Sequence, residues 1–220
     1  MNVNVDEAVF MIDTVRHLTG STYVLRFSRN GMQFTPGQHL VIGSPGSTEL
    51  REYSIYSGIN DEFLEVLIKE VDDGLVSRQL KNMKSGDSLE VKGPYGFFLA
   101  GASDPGPGKL LFLSSGTGIA PFHSFVRSYP RSDYRIIHGV RSVDEAYDAE
   151  DYIKERFTVC TSREEGGQYY GRLTDYLLET DLDSESQVYL CGNSNMIFDA
   201  MDILRARGIP QKQIHTEVYF

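Results

Sequence analysis

A change of rhythm at residues 101–108 constrains the fold of this 220-residue chain more than any single motif. Before it, Val9 to Val15, Tyr23 to Phe27, His39 to Ile42, Tyr53 to Tyr56, Phe63 to Ile68 and Ser88 to Val91 are short, rich in β-formers and mostly of period two. Asn30-Gly31 and Ser85-Gly86-Asp87 punctuate them, the pattern of a small antiparallel barrel. One helix interrupts, from about Leu75 to Asn82, introduced by Asp72-Asp73-Gly74. In residues 101–108 prolines alternate with glycines, which disfavours both helix and central strand. Afterwards strand, turn and helix alternate. Lys109 to Leu113, Tyr134 to Val140, Phe157 to Cys160, Gln187 to Cys191 and Ile214 to Tyr219 read as strands, and helices are predicted to begin near Pro121, Asp144, Thr174 and Asn195. That alternation predicts a parallel sheet with helices on both faces, hence an all-β domain over 1–101 and an α/β domain over 108–220.

Composition removes several classes of function. Lys+Arg 21 against Asp+Glu 31 leaves a net charge of −10, which argues against nucleic acid. No apolar run approaches the ~18 residues that span a bilayer, so membrane insertion is not expected. The start, Met1 to Glu7, shows no export pattern, and a cytoplasmic location is the expectation. Cys160 and Cys191 are too few for an iron–sulfur cluster, and the histidines are not spaced like a metal site. The chemistry must come from a bound organic cofactor.

Two anion grips stand out, one in each half. In Arg51-Glu52-Tyr53-Ser54, strand alternation puts Arg51 and Tyr53 on one face. A guanidinium fork there suits a pyrophosphate, a phenol ring suits an isoalloxazine, and the Ser54 hydroxyl suits flavin N5. Gly74-Leu75-Val76-Ser77 offers free N–H groups at a helix start for a second phosphate. Ser114 to Pro121 follows the apolar run 110–113 and suits a second dinucleotide, although it is not the GxGxxG fingerprint. Thr161-Ser162-Arg163 and Tyr170-Gly171-Arg172 could surround a ribose 2′-phosphate. Cys191 emerges at the carboxyl end of a parallel strand, where such sheets bind ligands. Glu217-Val218-Tyr219-Phe220 ends the sequence on aromatics that would dock on something flat. Each has a bland reading too: an exposed arginine, an ordinary helix cap, a structural turn, a solvated loop, a small core residue, a hydrophobic plug.

Their order is what adds up. REYS, GLVS, GPYG, GTGIAP, TSR with YGR, CGN and a terminal EVYF together resemble the ferredoxin–NADP⁺ reductase family across nearly the whole chain. The resemblance implies a six-stranded flavin barrel followed by a five-stranded parallel NADP(H) domain. It implies FAD held by Arg51, Glu52, Tyr53, Ser54, Gly74, Val76 and Ser77, with Thr117 at the nicotinamide nucleotide's phosphates and Ser162, Arg163 and Arg172 at its 2′-phosphate. Cys191 and Glu217 would flank the reacting ring, Tyr219 would cover the flavin, and Phe220 would touch the FAD adenine. GPYG reads as a tight turn closing the barrel.

The activity implied is hydride passage between NADP(H) and FAD, then single-electron exchange with a separate ferredoxin or flavodoxin. A flavin reductase or oxygenase reductase component is the alternative, and a nucleotide-sensing scaffold the non-enzymatic one. An acidic carrier would need a local basic rim, for which Arg51, Arg78, Lys81, Lys84 and Lys92 are the candidates. Oligomeric state is not encoded legibly.

Overall fold

The structure, a computed structural model, describes residues 9–71, 74–98 and 109–219. Asp72, Asp73, the segment 101–108, the first residues and Phe220 lie outside them. Packing divides the chain into two compact units: Met1–Ser103 with Ala120–Ser128, and Asp104–Ile119 with Tyr129–Phe220.

The first unit holds β1 (Val9–His17), β2 (Thr22–Ser28), β3 (His39–Gly43), β4 (Arg51–Ser54), β5 (Phe63–Lys69) and β6 (Ser88–Tyr95). They form an antiparallel sheet in the order β4-β3-β6-β1-β2-β5. The sheet curls shut where Ile55 bridges Val66 and Tyr56 N donates to Glu65 O at 2.7 Å. Closure of this kind leaves few unpaired edges. Alternate side chains, among them Phe10, Leu25, Phe27, Leu40, Ile42 and Val91, fill the interior. Each such burial contributes about 1.5–3 kcal/mol. The turn at Asn30-Gly31 has φ of 48° and 75°, left-handed values that Asn and Gly tolerate best.

Helix α1 (Leu75–Lys81) sends Val76 and Leu80 into this core, and Tyr23 Oη donates to Ser77 O at 2.5 Å. GPYG is not a free-standing turn. Gly93, Pro94 and Tyr95 continue β6, with Tyr95 opposite His39, and Gly93, at φ 125°, sits where the β3–β6 register shifts.

Helix α2 (Ala120–Ser128) follows the glycine turn in sequence, and the predicted boundary would leave it with the second domain. By packing it joins the barrel unit. The seam is polar: His123 Nδ1 lies 2.7 Å from Tyr56 O, Ser124 Oγ donates to Ser57 O at 2.7 Å, and Ile59 N donates to Ser128 Oγ at 3.0 Å.

The second unit is a parallel sheet in the order β10-β9-β8-β7-β11-β12. Its strands are β7 (Leu110–Ser115), β8 (Tyr134–Val140), β9 (Phe157–Thr161), β10 (Tyr169–Tyr170), β11 (Gln187–Asn193) and β12 (Ile214–Tyr219). It has six strands rather than the five expected, the extra one being the two-residue β10 on β9. A strand that short carries no alternation for the eye to find. α3 (Leu173–Glu179) and α4 (Ser194–Ala206) pack on it around Leu177, Ile197, Ala200 and Leu204.

No α-helix begins near Asp144. β8 is joined to β9 by 3₁₀ turns at Val143–Glu145, Ala149–Asp151 and Lys154–Arg156. Local polar contacts win over the helical ladder: Arg141 N donates to Glu145 Oε2 at 3.0 Å, Ser142 bonds Asp144, and Asp148 sits at φ 48°. Tyr147 and Tyr152 are buried beneath this stretch, Tyr152 stacked on Phe157 at 4.4 Å.

Candidate functional site

β4 carries the first grip on an edge strand, and its exposure falls inward along REYS: Arg51 and Glu52 exposed, Tyr53 half-buried, Ser54 buried. The Arg51 fork leans on its own edge, with Nη2 2.9 Å from Glu49 Oε2 and Nη1 donating to Leu50 O at 2.8 Å. Glu52 lies 3.9 Å from His39 Nε2. Tyr53 packs against the barrel core, and burial pushes its phenol up to about 12 against the pull of the Arg51 charge, so it stays neutral.

Gly74 caps α1 with extended φ and no side-chain cap. A Cβ there would lie 2.7 Å from Ser77 Oγ and 3.1 Å from Val71 O, so any larger residue must push Ser77 aside. Ser77 Oγ is committed to this loop: it accepts from Val71 N at 3.2 Å and donates to Gly74 O at 3.4 Å. What this turn offers an anion is therefore backbone N–H, as the sequence reading expects, while the Ser77 hydroxyl serves the loop itself.

The second grip is built at the switch point of the parallel sheet, where chain order reverses between β7 and β11. Gly116-Thr117-Gly118-Ile119 forms a 3₁₀ turn, with Gly116 at φ 53° and open space where a Cβ would project. Gly118 is different: a Cβ there would sit 2.3 Å from Cys191 O and 2.7 Å from Gly192 Cα. Gly192, at φ 132°, faces Ser115 Oγ at 2.4 Å in the same way, and Asn193 N donates to that hydroxyl at 3.0 Å. The turn and the end of β11 are pressed together.

Beside this crossing lie the sheet-end residues singled out in the sequence. Register places Cys191 between Ser114 and Glu217, and Asn193 opposite Tyr219. Cys191 is fully buried; burial first, then the Glu217 charge, push its thiol well up, while a hydrogen bond with Tyr219 pulls the other way. The thiol is therefore protonated at neutral pH and serves as a neutral packing group rather than a nucleophile. Glu217 Oε2 is buried as well. Under the strands, Ser114 Oγ is hydrogen-bonded to His138 Nδ1 at 2.8 Å. Burial lowers His138 from 6.5 to about 4, against weaker backbone hydrogen bonds at Glu145 and Ser114 that raise it. Cys160 is buried too, its thiol pushed up to about 12 by burial, and neither cysteine is in a disulfide.

At the far side, Ser162 and Arg163 are exposed just past β9, and Arg172 is exposed two residues after Tyr170. β9 and β10 bring them to one end, with Gly171 N donating to Thr161 O at 2.9 Å. Ser162 Oγ donates to Val140 O at 3.1 Å, and Arg163 N donates to Arg141 O at 3.0 Å. Arg141, just past β8 and exposed, thus joins Arg163. Sequence reasoning passed over it, although an arginine directly after a predicted parallel strand was the available signal. Phe220 lies outside the described residues.

The residues fit a dinucleotide at the second grip. The crossing excludes a Cβ at Gly118, the open side of Gly116 leaves room for approach, and the arginines past the ends of β8, β9 and β10 add positive charge at the same edge of the sheet. They fit a flavin at the first, where arginine, half-buried tyrosine and buried serine step inward along one strand.

Comparison with known proteins settles the family. Residues 10–99 match the oxidoreductase FAD-binding domain, and residues 112–202 match the oxidoreductase NAD-binding domain. The chain is 30% identical over 241 residues to the ferredoxin–NADP reductase of Azotobacter vinelandii, covering 94% of this chain and 91% of that one. This chain belongs to the ferredoxin–NADP⁺ reductase family. A crystal structure of a ferredoxin NADP+ reductase from Neisseria gonorrhoeae with bound FAD and NADP superposes with a TM-score of 0.85 at 26% identity, over 98% of this chain and 99% of that one. The toluate 1,2-dioxygenase electron transfer component of Pseudomonas putida is 29% identical over 94% of this chain, which spans 66% of that relative's length. As a member of the ferredoxin–NADP⁺ reductase family, the chain is a flavoprotein NAD(P)H oxidoreductase using FAD.

The basic rim of this reductase is largely spoken for by its own acids. Lys81 Nζ lies 2.5 Å and Arg78 Nε 3.5 Å from Glu70, Lys92 Nζ lies 3.2 Å from Glu90, and Arg51 pairs with Glu49. Among the described residues, no helix is long and apolar enough to cross a membrane.

Proposed function

We propose that the chain takes hydride from NADPH and delivers single electrons to a separate carrier, a ferredoxin or flavodoxin. The observation that carries this reading is the Cys191–Glu217–Tyr219 grouping beside the glycine crossing at the switch point, where a small neutral thiol, a carboxylate and an aromatic ring share one strand end. FAD, when bound, supplies the conversion between two-electron and one-electron chemistry.

The protein's part is to bind, orient and exclude. The 1–101 segment serves the flavin and the 108–220 segment the nicotinamide nucleotide. With FAD bound, Arg51 would exchange Glu49 for its pyrophosphate, Glu52 would border that site, Tyr53 would cover a ring face and Ser54 would orient the ring edge. Gly74, Val76 and Ser77 offer backbone N–H groups to the second phosphate. Gly116 and Thr117 receive the nicotinamide nucleotide's phosphates, while Ser162, Arg163, Arg172 and now Arg141 take the 2′-phosphate. Cys191 would leave room beside the reacting carbon, and Glu217 would steady the hydrogen bonding at the ring edge. Tyr219 would cover a ring face and swing aside as a gate. Phe220 is assigned to the adenine from sequence alone.

Anaerobic stopped-flow reduction by NADPH and by NADH tests the donor; a clear preference for NADH removes the role of the arginine cluster. Purified protein that is colourless and takes up no FAD overturns the reading entirely.

A second reading, reductase component of an oxygenase system, is favoured by the ion pairing of the rim. With Arg51, Arg78, Lys81 and Lys92 each beside a carboxylate, attraction of a strongly acidic carrier is weakened. Electron delivery to ferredoxin that stays unchanged as salt is raised supports this second reading.

A further inference from the structure

α2 is the helix that the glycine turn feeds, yet it is fastened to the segment that follows the flavin grip. Every α2 residue except Arg127 is buried. His123 lies flat on Tyr56, with centroids 3.7 Å apart and planes 11° apart, and its Nδ1 lies 2.7 Å from Tyr56 O. A carbonyl only accepts, so Nδ1 carries the proton. Ser124 Oγ donates to Ser57 O at 2.7 Å, and Ser128 Oγ donates back to Ser124 O at 2.6 Å while accepting from Ile59 N at 3.0 Å. Gly58 permits the approach, since a Cβ there would lie 3.0 Å from Arg127 Cβ. Arg127 Nη2 then pairs at 3.1 Å with Asp61 Oδ1, whose other oxygen accepts from Gly58 N at 2.8 Å. Tyr56 is two residues beyond Ser54, and His123 is six beyond Thr117.

We infer that His123, with Ser124, is a positioning residue for hydride transfer: it ties the helix leaving the nucleotide turn to the backbone leaving the flavin grip. The inference rests on the function proposed above. A buried ring that both stacks and donates fixes two translations and a rotation at once. A seam of side-chain hydrogen bonds to backbone holds register more sharply than apolar packing, which tolerates sliding. Neither residue touches substrate or flavin in this account; they act through α2 and through residues 56–59.

The test uses the full chain with FAD, comparing His123→Phe (stack kept, donor lost), His123→Asn (donor kept, stack lost) and Ser124→Ala. His123→Phe is expected to keep its flavin and to change NADPH affinity by less than about threefold, while hydride transfer slows on the order of 10-fold or more. His123→Asn should recover most of that rate, and Ser124→Ala should fall between. Hydrogen exchange without nucleotide gives a second readout: the Ile59 amide, held by Ser128 of α2, should exchange faster in His123→Phe and stay protected in His123→Asn. Wild-type hydride transfer in His123→Phe overturns the inference. So does an equal loss of flavin and melting temperature in His123→Phe and His123→Asn, which would make the residue a packing group only. If NADPH fails to reduce the wild-type flavin while Ile59 still loosens in His123→Phe, the proposed function has failed and the seam has not.

Discussion

The two grips solve the same problem in opposite ways. On β4, Arg51 is exposed and its fork rests on Glu49, itself exposed. Such pairs contribute roughly 0–1 kcal/mol, so a phosphate can take over the guanidinium at little cost to the fold. At the ends of β7 and β11 nothing is exchangeable. Gly118 and Gly192 are locked against backbone and hydroxyl, Cys191 is fully buried, and Ser114 leans on a buried His138. An exposed grip separates binding from stability, whereas a buried one makes them the same quantity.

The comparison is most easily broken at Gly118. Replacement by alanine puts a methyl 2.3 Å from the Cys191 carbonyl, with no flexible side chain to yield. The expected loss exceeds about 3 kcal/mol, read by chemical denaturation of the apoprotein. A variant as stable as wild type would mean that the crossing is soft.

Next comes His138. Its folded value near 4 lies below the ordinary 6.5, so between those values the unfolded chain binds the extra proton and acid favours unfolding. Stability should therefore be complete above pH 6.5 and fall by on the order of 3 kcal/mol as pH drops to 4. His138→Gln should flatten that part of the stability–pH curve, measured by urea titration at several pH values; an unchanged slope would place the acid sensitivity elsewhere.

Arg51→Ala sharpens the other half. FAD affinity should fall on the order of 10–100-fold, the worth of a charge-assisted hydrogen bond, while the apoprotein's melting temperature stays put. Flavin release followed by fluorescence, alongside apoprotein melting, separates the two; a matching loss in both would erase the distinction drawn here. The smallest effect belongs to Tyr23→Phe, which removes the 2.5 Å bond to Ser77 O but keeps the ring in the core. About 1 kcal/mol of barrel stability should go, with FAD affinity lowered less than in Arg51→Ala.

Much of this was legible beforehand where the signal is local. Period two in Phe63 to Ile68 and a strand–glycine–helix sequence around Ser114 each report backbone geometry within a few residues, and β5, β7 and the turn stand where that pattern put them. Cys191 was read near the carboxyl end of a parallel strand, and β11 brings it there; register makes Glu217 its neighbour. What misled was competition invisible to periodicity. Around Asp144, Glu145 takes the Arg141 amide and 3₁₀ turns replace the expected helix. Arg141 offered only its place just past a predicted strand, and the pairing of β8 with β9 is what brings it to Arg163.

The amino-acid sequence by itself determined two segments of different rhythm and every strand but the two-residue β10, because hydrophobic period and turn chemistry act over a few bonds. Only the tertiary structure decided that α2 joins the barrel unit, that Glu49, Glu70 and Glu90 pair with the basic rim, and that Gly118 and Gly192 cannot carry a side chain. Those outcomes depend on which distant surfaces and charges meet, a choice made by the sum of packing and pairing energies over the whole chain and written in no single stretch of it.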